Sequence, residues 1–166
     1  MKKTLVSLSA LLALSSCGPT TNDAVKYNDS IIDWVDHVKE PQEKLIDQLD
    51  GHNIDSLKIT QLAFANASEE SSKALEGIKA FDDKTEYLDA AKKFIMEIKS
   101  LSDNEVKSLA NVLMKDSLSI SEEDVKIAEK SGVSFDSKYE KAFNEFAEAQ
   151  KQFAVKWNFK LMYDKK

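Results

Sequence analysis

The chain has 166 residues with 23 basic side chains, all lysine, against 29 acidic ones, and a net charge of −6. An acidic surface without a single guanidinium argues against nucleic acid as a partner and, less strongly, against phosphate or sulfate substrates, since phosphates reward basic patches and forked contacts. One cysteine and two histidines leave no internal disulfide and no cysteine-based metal cluster.

Residues 1–17 begin with Lys2 and Lys3, continue with an apolar run from Leu5 to Leu14, and end in Leu14-Ser15-Ser16-Cys17. A positive start, a short apolar middle and small residues before a cut make a secretory signal peptide. The run is far shorter than the roughly 20 residues that span a bilayer. Its end resembles the lipobox of bacterial lipoproteins. That resemblance implies cleavage between Ser16 and Cys17, an S-diacylglycerol on Cys17, an N-acyl chain on its new amino group, and membrane lipid as a partner. Two or more acyl chains hold a protein stably, each buried methylene contributing about 0.8 kcal/mol. Gly18 stands where many Gram-negative inner-membrane lipoproteins carry aspartate, which favours the outer membrane where a cell has two. The expected organisation is a signal peptide at 1–16, a lipidated tether at 17–23 and one helical domain at 24–166. The mature chain has 150 residues and 21 lysines against 29 acids, hence a side-chain charge of −8. Its tether reaches only about 20 Å when extended, and an acylated Cys17 offers no thiol for catalysis or metal binding.

From Ala24 the pattern is helical, with Val25, Ile32, Val35, Val38, Leu45 and Leu49 on one face. Pro41 predicts a kink near Glu40 or a break into two pieces, and Asp50-Gly51-His52-Asn53 reads as a glycine cap and turn. A second helix is expected over 54–81, with Leu57, Phe64, Leu75 and Ile78 inward and a small, polar middle at 65–72. Asp83 with Glu86 suggests a capping arrangement for a third helix. Its row of Leu88, Ala91, Ile95, Ile98, Val106, Leu109 and Leu113 keeps phase across Ser102. One long helix to about Lys115 is favoured over two short ones meeting there. Residues 116–136 read as a connector in which Ser121-Glu122-Glu123-Asp124 starts a short helix that Gly132 stops. The last helix, over 137–162, carries Tyr139, Phe143, Phe146, Phe153 and Trp157 on one face, with Phe159 and Tyr163 off the stripe. Ring burial of about 150–250 Å² each makes it the expected mainstay of the core. Four amphipathic segments without a strand predict an all-α fold, an antiparallel up-down four-helix bundle.

Candidates for chemistry are sparse. His37 has Asp33 one turn before it, a spacing at which both could touch a metal, but the pair reads as the polar flank of a surface helix; His52 falls in a turn. Bundle metal sites use Glu-x-x-His pairs, and none occurs. The carboxylates at Asp33 and Asp36, Glu69-Glu70, Asp82-Asp83 and Glu122-Glu123-Asp124 lie in turns, on exposed faces or at helix starts, the last being where the helix dipole favours acids. Asn28, Asn66 and Asn111 lie on or beside apolar faces, to set helix register or line a small pocket. No G-x-S-x-G elbow, Gly-rich phosphate loop or cofactor motif is present, so no enzyme activity and no cofactor are expected.

Two further stretches, Tyr27-Asn28-Asp29 and Ala149-Gln150-Lys151-Gln152-Phe153-Ala154-Val155-Lys156-Trp157-Asn158-Phe159-Lys160-Leu161, resemble a family of small helical bacterial surface lipoproteins. The resemblance implies a helical bundle at the cell envelope and supplies no catalytic residues. The expected role is a non-catalytic lipoprotein that binds an envelope protein or serves a structural purpose. The alternative is a small-molecule or metal-binding module with its pocket near residues 65–72.

Overall fold

The computed structural model of the protein describes residues 18–51 and 54–162, apart from the side chains at 50, 51, 54 and 55. The expected signal peptide, Cys17, His52, Asn53 and Tyr163 lie outside the described residues. Within them all regular elements are helical, and the one β-type contact is an isolated bridge between Phe81 and Lys84. The all-α class follows. No helix among these residues is long and apolar enough to cross a membrane.

Thr20 decides where the first helix begins. Its Oγ1 accepts from the Asp23 N–H at 3.3 Å while the Asp23 carboxylate accepts from the Thr20 N–H at 2.9 Å. This reciprocal box satisfies two backbone donors at the helix start. Helix α1 therefore spans Thr21–Asp36 and takes up residues expected in the tether, leaving 18–20 outside it, about 10 Å when extended. It buries Ala24, Asn28, Ile31 and Val35, whereas Val25 and Ile32 of the expected row are only half-buried. Of the two outcomes expected from Pro41, the chain breaks: α1 ends and α2 occupies Lys39–Gly51. Pro41 sits in the first turn of α2, where a missing N–H has no intrahelical partner to lose.

Helix α3 runs Ile54–Gly77 and stops four residues short of the expected 81. Phe81 and Lys84 then exchange backbone hydrogen bonds of 3.2 and 3.0 Å around Asp82 and Asp83, whose φ angles are 53° and 56°. Two left-handed residues in a two-residue loop make a hairpin-type turn, and aspartate visits that region more readily than most residues. Asp83 is thus a turn residue and not a helix cap. Thr85 takes the cap position without a side-chain bond, and α4 spans Glu86–Leu101.

One uninterrupted helical path follows, as favoured from the sequence, but it is widened to a π turn at Ser102–Val106 before α5 at Lys107–Leu113. The buried residues Ile98, Ser102, Val106 and Ala110 explain the widening. They recur every fourth residue, and in an α-helix each such step drifts by about 40°. A π turn absorbs the accumulated excess of one residue.

After a 3₁₀ turn at Ser117–Ser119, α6 spans Glu122–Lys156 as a single 35-residue helix. Ser121 and Asp124 form the start expected of them, but Gly132 stops nothing, and the connector expected over 116–136 is mostly helix. A mid-helix glycine costs about 1 kcal/mol. Contacts on both sides of it offset that cost: before it Asp124 holds Lys115 at 2.6 Å, and after it Ser134 and Lys138 reach Glu105 at 2.9 and 2.6 Å while Phe135 and Tyr139 pack on the core.

Helix α4 lies between α3 and α6; α2 packs on α3, α5 on α6, and α1 touches α3, α4 and α6. The ion pairs Lys92–Glu76 and Lys99–Glu69 run in opposite senses along α4 and α3, as do Lys93–Glu145 and Lys138–Glu105 between the α4–α5 path and α6. Because neighbours cover it on several sides, α4 buries Tyr87, Leu88, Ala91, Phe94, Ile95, Ile98 and Leu101. At about 1.5–3 kcal/mol for each large apolar side chain, α4 is the mainstay of the core, the place expected for the aromatic last helix. The fully buried apolar residues of α6 are Phe146 and Ala154, and Phe143 is 40% exposed.

Candidate functional site

Asn28 is the polar residue around which one end of the molecule is built. It faces inward from α1, and its Oδ1 accepts from the Tyr87 hydroxyl and from Gln150 Nε2, both at 3.0 Å. Its Nδ2 donates to Asp29 Oδ1 at 3.2 Å. All three side chains of this trio are buried, so the bonds hold α1, α4 and α6 in one register. Asn28 thereby meets the register role expected of it, while Asn66 and Asn111 are exposed.

Beside the trio lies a group of rings. Tyr27 packs on Phe81 at 5.0 Å and on Phe153 at 5.6 Å, and Phe81 meets Trp157 edge-on at 4.9 Å. The Asp82–Asp83 turn brings Phe81 there. The end of α6 contributes as well. Asn158, at φ 55°, turns the chain left-handed, and the Phe159 N–H reaches back to the Ala154 carbonyl at 3.1 Å. This is a Schellman-type stop with asparagine in glycine's usual place. It sets Phe159 against Phe153 at 6.0 Å, which explains why Phe159 fell outside the helical stripe.

A cleft of about 250 Å³ opens at this end, lined by Tyr27, Tyr87, Ala149 and Phe153 with Lys84, Glu86, Gln152 and Lys156 at its exposed margin. The Tyr27 hydroxyl oxygen is buried and has no hydrogen-bond partner among the described residues, and the same holds for Trp157 Nε1. Burial, with a smaller contribution from Asp89, pushes the Tyr27 phenol up to about 12. It is therefore a protonated donor throughout the physiological range. Burial raises the Tyr87 phenol further.

Compared with protein-family models, curated proteins and solved structures, the chain matches none.

The stretches 27–29 and 149–161 meet here: Tyr27 packs on Phe153, and Asn28 bonds Gln150. Other candidates lie apart. His37 Nε2 sits 3.0 Å from Glu70 Oε2 on α3, and no group of three potential metal ligands occurs among the described residues. Asp36 pairs with Lys39 at 2.6 Å, Glu69 with Lys73 and Lys99, and Asp124 with Lys115 at 2.6 Å. Asp33, Glu122 and Glu123 are exposed. Within the 65–72 stretch Ala67, Ser68 and Ser71 are buried, and Ser68 Oγ bonds the Phe64 carbonyl at 3.0 Å. The cleft takes no residue from that stretch. Tyr87 and Gln150 escaped the sequence reading. The signal for Gln150 was present: it lies between Phe146 and Phe153 at helical spacing, a polar residue in an aromatic row.

Proposed function

We propose that this protein is a lipid-anchored, non-catalytic lipoprotein of a bacterial cell envelope, in the outer membrane where there are two. Cleavage between Ser16 and Cys17 leaves Cys17 with an S-diacylglycerol and an N-acyl chain. The body is an antiparallel up-down four-helix bundle, with α1 and α2 as one broken rod, α3 the second, the α4–α5 path the third and α6 the fourth. Opposed ion pairs between neighbouring rods support that arrangement. The observation that carries the lipoprotein reading is the N-terminal pattern, two lysines, a short apolar run and Leu14-Ser15-Ser16 before the chain's single cysteine. The scatter of carboxylates over separate ion pairs and exposed positions supports a binding or structural role over hydrolysis.

Mass spectrometry of the protein from bacterial membranes tests this. The N-terminal peptide is expected to begin at Cys17 with a diacylglycerol thioether, and Cys17→Ala should leave the chain uncut and unlipidated. A free Cys17 thiol, or cleavage at another bond, would refute the reading. Cross-linking before detergent extraction then identifies the envelope protein that touches the body.

A further inference from the structure

We propose that the end of the molecule from which the tether leaves rests in the headgroup layer of the bilayer, with Val155 and residues 157–162 against lipid. This contact presupposes the acylated Cys17 proposed above and adds which surface of the body meets the membrane.

Reach is the first ground. Helix α1 begins at Thr21, and only residues 18–20 separate it from Cys17, about 10 Å when extended. An acyl-bearing Cys17 therefore holds whatever surrounds the start of α1 at the membrane surface.

The end of α6 is what surrounds it. Asn28 bonds Gln150 and Tyr27 packs on Phe153, so α1 and α6 run in opposite senses. From Asn28 back to Thr21, and from Gln150 on to Trp157 where α6 stops, the distance along the helix is the same, about 10 Å. Thr21 and Trp157 thus lie at nearly one level, on the side of the trio nearest the tether.

The third ground is the character of the side chains there. Val155 is 74% exposed, Met162 is exposed, and Trp157, Phe159 and Leu161 are half-buried. Apolar groups at the headgroup–acyl boundary leave water at a depth of about 5–10 Å, and tryptophan is enriched at that level. Lys156 and Lys160 alternate with these residues; their stems lie along apolar surface while the ammonium groups stay among the headgroups. Exposed acids offset the lysines of this end, Asp82 and Asp83 beside Lys84 and Asp23 near Lys26. The attraction is therefore apolar, and a zwitterionic lipid suffices.

Quenching by brominated lipid tests the contact. The full-length lipoprotein, extracted from bacterial membranes and reconstituted in phosphatidylcholine vesicles, carries a fluorophore on the thiol of Val155→Cys or, for comparison, of Ile59→Cys. The two positions are exposed alike, 74% and 70%, so neither substitution disturbs the core. Ile59 lies about 27 Å along α3 from Gly77, the end of that helix nearest the tether. An acylated Cys17 takes no label. Bromines near the headgroup–acyl boundary should remove about half of the emission at Val155→Cys, and less than about a tenth at Ile59→Cys, as suits contact at one end only. In a chain that is lipidated and floats with the vesicles, an unquenched Val155→Cys, or equal or greater quenching at Ile59→Cys, overturns this orientation and leaves the anchor standing. A chain that labels at Cys17 and fails to float refutes the anchor, and the orientation with it.

Discussion

Asn28 Oδ1 accepts two hydrogen bonds where no water reaches, and this makes a single side chain unusually costly to remove. Asn28→Ala leaves the Tyr87 hydroxyl and the Gln150 amide buried without their acceptor. It should cost about 2–3 kcal/mol in urea unfolding. Replacing the trio together, as Asn28→Leu, Tyr87→Phe and Gln150→Leu, should recover most of that loss, because no polar group is then stranded. A triple variant less stable than Asn28→Ala would show that the trio stabilises through packing and not through its bonds. Asp124 offers a second test, through pH. The Lys115 ammonium at 2.6 Å and the Ser121 hydroxyl and N–H hold its carboxyl down at about 2, from an ordinary 3.8. A carboxyl with a lower pKa in the native state stabilises above its unfolded value and ceases to do so as pH falls toward the native one. The stabilisation should therefore be complete above about pH 4 and disappear toward pH 2. Urea midpoints measured from pH 5 to 2 should fall more steeply for the parent than for Asp124→Asn, and parallel slopes would contradict the assignment.

At the scale of the helix, Gly132 lies in the middle of α6 with open space where a Cβ would stand and without a positive φ. Gly132→Ala should raise stability by about 0.5–1 kcal/mol, read as a higher thermal midpoint. A lower midpoint would mean that α6 needs the glycine. The same residue shows what local sequence conveys and what it does not. The apolar rows of α1, α3 and the α4–α5 path were legible because a helix must repeat its buried face every three or four residues. The stop at Gly132 was misread because glycine ends helices more often than it interrupts them; here Lys115 holds Asp124 before it and Glu105 holds Ser134 and Lys138 after it. Asp82-Asp83 was misread for a related reason. Acids before a helix usually cap it, and only the exchange of bonds between Phe81 and Lys84 reveals that they turn the chain instead.

Considered whole, the molecule depends on pairings that no window of sequence contains. Asn28 meets Tyr87 across 59 positions and Gln150 across 122. The cleft is assembled from α1, the turn before α4, the start of α4 and the end of α6, so its lining could not be read from any one of them. The fold class was open to sequence reading; the site was visible only as scattered letters. The π turn at Ser102–Val106 carries a consequence for the whole chain. Both flanking helices already face α6, so the wide turn stores a spare link. Deleting the exposed Asn104 should let the backbone tighten to an ordinary coil, with α5 still aligned and stability within about 1 kcal/mol of the parent by urea midpoint. The same excision at exposed Met96, where no slack exists, should swing everything downstream by about 100° and scramble the interior. This helix can be shortened by one residue only at its widest point.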